Sequence, residues 1–179
     1  MKLASSSMCG ALLVSAVAFV GCSGGGGGGA SSPEGGGLVD KPAPSFSAEP
    51  VQGDVKSLDD LKGKVVILDF WATFCGPCKE SFPKYQSIVD ASGGKVVVLA
   101  VSEDDPEQKD DIKKFIKDTG VKFPVVWDKD KSIAKDKYDV KKMPTSFIID
   151  PSGTVKFVHA SFHEGDDDKI SEEVKSLSK

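Results

Sequence analysis

Cys75 and Cys78 stand two residues apart in Trp71-Ala-Thr-Phe-Cys-Gly-Pro-Cys-Lys79. Thiols at that spacing suit dithiol chemistry when they fall where a strand gives way to a helix. A cysteine at the helix N-terminus meets unpaired backbone N–H groups and the positive end of the macrodipole, which favour thiolate over thiol. Cys75 is therefore the expected attacking group. Cys78, one turn further in, is the expected resolving thiol, and Gly76 and Pro77 hold the turn tight. Cys75 thiolate attacks a disulfide to give a mixed disulfide, which Cys78 then resolves. A zinc site needs four ligands, and beyond this pair the chain offers His159 and His163 and no second cysteine pair. A purely structural disulfide is disfavoured, because so short a loop removes little chain entropy.

One acid belongs with this pair. Asp69 interrupts the apolar run Lys64-Val-Val-Ile-Leu-Asp-Phe-Trp71, six residues before Cys75. Inside a strand buried on both faces, an unpartnered carboxyl has its pKa raised and can take the proton of Cys78 during resolution. At a strand edge the same residue would simply face water.

The elements around these residues alternate strand and helix, which predicts a single α/β domain. A strand or hairpin arm is expected at Val51–Lys56, a helical turn at Ser57–Gly63 and buried strands at Lys64–Trp71 and Lys95–Ser102. A helix should run from Gly76-Pro77 to about Ser92, with Pro83 kinking it and Gly93-Gly94 stopping it. Asp105-Pro106 opens a second helix, with Ile112, Phe115, Ile116 and Thr119 on one face and Gly120 at its end. A short helix is expected at Ser132–Tyr138, then a hairpin of Thr145–Asp150 and Thr154–Ala160 around Pro151-Ser-Gly153. A last helix, Asp166–Ser178, should bury Ile170, Val174 and Leu177, with Asp166-Asp-Asp168 as its acidic first turn.

The N-terminal part reads as an address. Met1-Lys2 and the apolar run from Ala11 to Val20 have the charge and length of a signal peptide, too short to span a bilayer. Phe19-Val20-Gly21-Cys22 resembles a bacterial lipobox, with Phe19 where leucine is more usual, so Cys22 is the expected lipidation site; a plain secretory signal is the alternative. Nine of the 19 glycines lie within Ser23–Gly37, a composition that cannot bury a core and suits a flexible tether. The expected organisation is a signal peptide at 1–21, a lipidated cysteine and tether at 22–42, and a folded domain at 43–179.

All 23 basic residues are lysine and the formal charge is −4, so the basic surface of a nucleic-acid binder is missing.

From Ala43 onward the sequence resembles the thioredoxin superfamily, and within it the membrane-anchored TlpA/ResA-like branch. The resemblance rests on Asp69–Lys79, on Pro83 five residues after Cys78, and on Lys142-Met-Pro-Thr145, which is similar to the family's cis-proline loop. It implies a thioredoxin-like fold: a central mixed β-sheet flanked by helices, with an extra strand-helix segment within about Val101–Tyr138. It also implies a cis Met143–Pro144 bond opposite the cysteines, which leaves the Met143 backbone free for an extended substrate segment. The implied catalytic set is Cys75, Cys78 and Asp69, and the implied substrate surface is Trp71, Phe74, Gly76, Pro77, Met143 and Pro144, with Trp71 and Phe74 as an apolar apron. Many of these relatives carry glutamate three residues after the second cysteine. Here Ser81 stands there and Glu80 one place earlier, a rotation of ~100° along a helix. The implied activity is thiol–disulfide exchange, as a reductase of exported proteins such as apocytochrome c, without cofactor or metal. The implied molecule is a monomer that is lipid-anchored on the outer side of a bacterial membrane and recharged by a membrane thiol donor. Two other classes stay open. A peroxiredoxin-type peroxide reductase shares the long insertion, although Leu68 and Ala72 replace its expected proline and threonine. A Cu(I)-binding module could use the two soft thiolates.

Overall fold

The computed structural model describes residues 36–179; the signal peptide, Cys22 and the greater part of the tether lie outside them. β-Branched residues concentrate in the strands, which form a six-stranded sheet in the order β1-β4-β3-β2-β5-β6. These are β1 Glu49–Gln52, β2 Val65–Trp71, β3 Val96–Ser102, β4 Val125–Trp127, β5 Thr145–Ile149 and β6 Val155–Ala160. β2 pairs parallel with β3 and antiparallel with β5, so the sheet is mixed, as the resemblance implies. The helices are α1 Gly76–Ala91, α2 Lys109–Thr119 and α3 Asp166–Leu177.

The alternation of β2 sorts its side chains between two cores. Val65, Ile67 and Trp71 join the cluster that holds Phe82 and Tyr85 of α1, Ile112 and Phe115 of α2 and Ile170 and Val174 of α3. Val66, Leu68 and Phe70 face Phe46, Leu61, Tyr138 and Phe147 on the opposite side. Asp69 shares the parity of the first set and points toward the α1 face.

Three expectations need correction. The first strand begins at Glu49 and stops at Gln52, because Gly53 takes φ +77° and turns the chain. It lies at the sheet edge, where Pro50 costs no ladder hydrogen bond. The extra strand is Val125–Trp127, three residues long, and the short helix near Ser132 is one wide π-type turn, Ile133–Lys137. The end of the presumed tether is also structured. Asp40 N–H donates to the Val155 carbonyl at 2.8 Å, Pro42 bridges to Thr154, and Ala43 N–H donates to the Gly153 carbonyl at 2.9 Å. Residues 38–42 thus strap the outer hairpin instead of hanging free.

Candidate active site

β2 ends at Trp71 and α1 starts at Gly76, so the cysteines sit on the turn that joins them. Cys75 and Cys78 form a disulfide with Cα atoms 5.3 Å apart. Cys75 is the N-cap of α1, and its Sγ accepts the Cys78 backbone N–H at 3.2 Å. The same bond, made to a thiolate, would stabilise the reduced form's charge. Cys75 is more enclosed than a nucleophile free at a helix tip: it is 7% exposed against 0% for Cys78. The order of access still makes Cys75 the sulfur a partner can reach. Gly76 and Pro77 are exposed, and Pro83 sits inside an α1 that continues through it.

An acid holds the entering turn. Both carboxylate oxygens of Asp104, beyond β3, accept the Thr73 N–H (3.0 and 3.1 Å), and Oδ1 also accepts the Thr73 hydroxyl at 2.5 Å. Ser102 Oγ donates to the Asp104 Oδ2 at 2.7 Å. Asp104 and Ser102 escaped the sequence analysis, since an acid after a strand reads as an ordinary loop.

Asp69 is fully buried, which excludes the water-facing alternative. Burial raises its pKa from 3.8 to about 7, partly offset by a hydrogen bond from Ser146. Ser146 lies directly opposite Asp69 in the β2–β5 register, and its hydroxyl donates to Asp69 Oδ1 at 2.7 Å. The Tyr85 hydroxyl meets Ser146 Oγ at 2.7 Å. Asp69 Oδ2 is buried with no hydrogen-bond partner. Neither Ser146 nor Tyr85 was singled out in the sequence.

The β2–β5 register also delivers the expected proline loop. Thr145 pairs with Phe70, so the residues before Thr145 lie beside the turn that leaves β2. The Met143–Pro144 bond is cis. The Lys142 carbonyl accepts the Thr145 hydroxyl, and the Pro144 carbonyl accepts the Ser161 N–H. Met143 packs against the cluster that contains both cysteines.

The aromatic apron differs from the expectation. Trp71 is fully buried and stacks at an angle on Phe82 and Phe115, with centroids 4.7 and 4.6 Å away, so it supports the site from beneath and cannot touch a partner. Phe74 is 62% exposed. It flanks an open groove of about 490 Å³ that Thr73, Lys79, Asp111, Lys114 and Phe115 also line.

Ser81 is buried and donates to the Cys78 carbonyl at 3.2 Å, whereas Glu80 faces solvent. A second buried acid, Glu103, went unnoticed in the sequence. Its N–H donates to the Trp71 carbonyl at 2.8 Å, and burial followed by the Asp128 charge raises its pKa to about 7. His159 is turned to Glu173 at 2.6 Å, and His163 lies near Asp166. Among the described residues no group of His, Cys, Asp and Glu is arranged to hold a metal ion, and no helix is long and apolar enough to cross a membrane.

Residues 39–158 match the model of the AhpC/TSA family. Over 117 residues the chain is 42% identical to the thiol-disulfide oxidoreductase ResA of Bacillus subtilis (strain 168). That match takes in 63% of this chain and spans only 62% of the relative's length. A thiol:disulfide interchange protein of the thioredoxin family from Chlorobium tepidum TLS is similar in structure. Its TM-score is 0.66 at 30% identity, over 77% of this chain and 96% of that one. The exposed lipoprotein thioredoxin Etrx1 of Streptococcus pneumoniae strain TIGR4 gives a TM-score of 0.61 at 31% identity, over 75% of this chain and all (100%) of that one.

Proposed function

The chain belongs to the AhpC/TSA family and has a thioredoxin-like fold, and from that premise we propose that it is a thiol–disulfide oxidoreductase that reduces disulfides of exported proteins. The observation that carries the reading is the Cys75–Cys78 disulfide capping α1 above a buried acid that points to the same face.

The chemistry proceeds in two exchanges. In the reduced protein the Cys75 thiolate attacks one sulfur of a substrate disulfide; a Cys75–substrate S–S bond forms, and the other substrate sulfur leaves as thiolate. Asp69 then accepts the Cys78 proton, and the Cys78 sulfur attacks Cys75 Sγ. The Cys75–Cys78 bond forms and the second substrate thiolate departs. Two electrons have passed to the substrate and the protein is left in the disulfide form seen here. Another thiol must restore it, and outside the cytoplasm a membrane dithiol donor is the natural source, because no glutathione pool is maintained there.

Phe74, Gly76 and Pro77 form the exposed rim around Cys75, and the Met143 peptide offers a backbone edge for an extended substrate. Apocytochrome c, with its cysteine pair, is a substrate of the right kind. Cys22 as a lipid site, with the Gly/Ser tether behind it, would hold the domain on the outer side of a bacterial membrane. The similarity to a lipoprotein thioredoxin supports that placement. The reducing direction is favoured because Gly76 and Pro77 bring no side-chain donor to the Cys75 thiolate, so the thiolate gains only the backbone bond.

Equilibration of the protein in dithiothreitol and glutathione buffers, trapped by alkylation, tests this. A reduction potential well below the glutathione couple is expected. A potential well above it would make the protein an oxidant, and the absence of any reversible two-electron couple would end the enzymatic reading. Consumption of peroxide dependent on Cys75 would point instead to a peroxide reductase.

A further inference from the structure

We infer that Ser146 and Tyr85 are positioning residues for Asp69: their hydroxyls hold Oδ1, which leaves Oδ2 as the oxygen that receives the proton from Cys78. This rests on the reading of Asp69 as the base of the resolving step.

Ser146 Oγ donates its single proton to Asp69 Oδ1 at 2.7 Å, so the 2.7 Å contact with Tyr85 must be a donation from the phenol to Ser146. The chain Tyr85 O–H to Ser146 O–H to carboxylate has one sense, and each link strengthens the next. All three residues are at most 1% exposed, so no bulk water competes for these groups. Oδ1 is occupied and oriented, while Oδ2 is buried with its acceptor capacity unused. A buried carboxylate oxygen without a donor leaves its charge unsolvated, and that charge is removed when Oδ2 takes a proton. In the transfer the Cys78 S–H bond breaks and an O–H bond forms on Oδ2. The sulfur electron pair becomes the new bond to Cys75, and the hydroxyl chain stays intact throughout.

Ser81, one turn before Tyr85 on α1, donates its hydroxyl to the Cys78 carbonyl, so the same helix carries Tyr85 and the resolving cysteine. The charged and titratable groups around this row are few. From α1 come Tyr85 and, after reduction, Cys78. Asp166 at the start of α3 acts on Tyr85. His159, paired with Ser146 on β6, is bound to Glu173 of α3. On the β3 side Ala100 stands opposite Asp69 and carries no charge.

The test follows the Asp69 carboxyl directly. In the full-length oxidised protein with 13C-labelled aspartate, the Asp69 signal, identified by its loss in Asp69→Asn, is titrated from about pH 5 to 9 across the usual and raised carboxyl ranges. Ser146→Ala removes the donor to the charged form, so the midpoint should rise by about one pH unit. Ser146→Thr, which keeps a hydroxyl, should restore it, and Tyr85→Phe should raise it by less. An unmoved midpoint in folded Ser146→Ala overturns the inference. If that variant does not fold, an unmoved midpoint in Tyr85→Phe does so. The base reading fails separately: the midpoints move as expected, yet the rate of mixed-disulfide resolution ignores them and survives in Asp69→Asn.

Discussion

Between two sulfurs in one ring, access decides the order of events. Cys75 retains 7% of its surface and receives the Cys78 N–H, while Cys78 retains none. Cys78→Ser should therefore accumulate a covalent adduct with a disulfide substrate, visible on non-reducing gels, and Cys75→Ser should form none; adducts through Cys78 would reverse the assignment. Asp69→Asn leaves attack by Cys75 intact and removes the base. Stopped-flow resolution of the mixed disulfide should slow by on the order of 10²-fold. In the wild-type protein that rate should climb as pH rises through about 7, where Asp69 ionises, and the variant should lose this inflection. Asp69 and the cysteine pair were legible in the sequence because each breaks a local pattern, an acid in an apolar run and two thiols at a strand–helix junction. Ser146 and Tyr85 were not. They lie 77 and 16 residues from Asp69, Ser146 follows Thr145 like any strand residue, and Tyr85 occupies an ordinary apolar position of α1. The antiparallel register of β2 and β5 brings Ser146 to the carboxyl, and the packing of α1 on the sheet brings Tyr85 to Ser146.

At the scale of elements, the site hangs on how β2 hands over to α1. Asp104 fixes that handover by binding Thr73 through both its backbone and its hydroxyl, across 31 residues of sequence. It also takes the Ser102 hydroxyl, while its own carbonyl accepts the Trp127 indole N–H at 2.8 Å, tying in β4. Asp104→Ala would leave the Thr73 N–H and two hydroxyls without their charged acceptor. A loss of about 2–4 kcal/mol is expected, measured as a lower urea midpoint at unchanged slope. Equal stability would show that the clamp is replaceable. The long elements were legible because their signals are strong. Asp105-Pro106 opens a 3-10 turn, Pro106–Gln108, that leads into α2, and α2 closes on Gly120 at φ +68°, where the Gly120 N–H returns to Ile116. The short ones were not. β4 has three residues, too few for a period to emerge, and β1 holds a proline that an edge position alone excuses.

At the scale of the whole molecule, several of the described acids are buried. Asp69 and Glu103 have pKa values raised to about 7, and Asp128 is also raised, each chiefly by burial. A carboxyl with a raised folded pKa binds its proton more tightly in the native state than in the unfolded chain. Its folding therefore takes up protons between the two values, and stability falls as pH rises through that window. For Asp69 the window runs from 3.8 to about 7, roughly 3 pH units, which amounts to at most about 4 kcal/mol. Asp60 and Glu49, lowered by their hydrogen bonds, work in the opposite sense but are solvent-screened. The urea midpoint of the oxidised protein should thus fall between pH 5 and 7 and level off above, where both forms of the chain carry ionised acids. Asp69→Asn and Glu103→Gln should each flatten a comparable part of that slope, and Asp69→Asn should raise stability at pH 8. A midpoint that rises from pH 5 to 7 would mean these carboxyls are solvated in the native state. The sign ties stability to turnover, because the burial that keeps Asp69 near neutrality as a proton acceptor is the same burial that weakens the fold when it is charged.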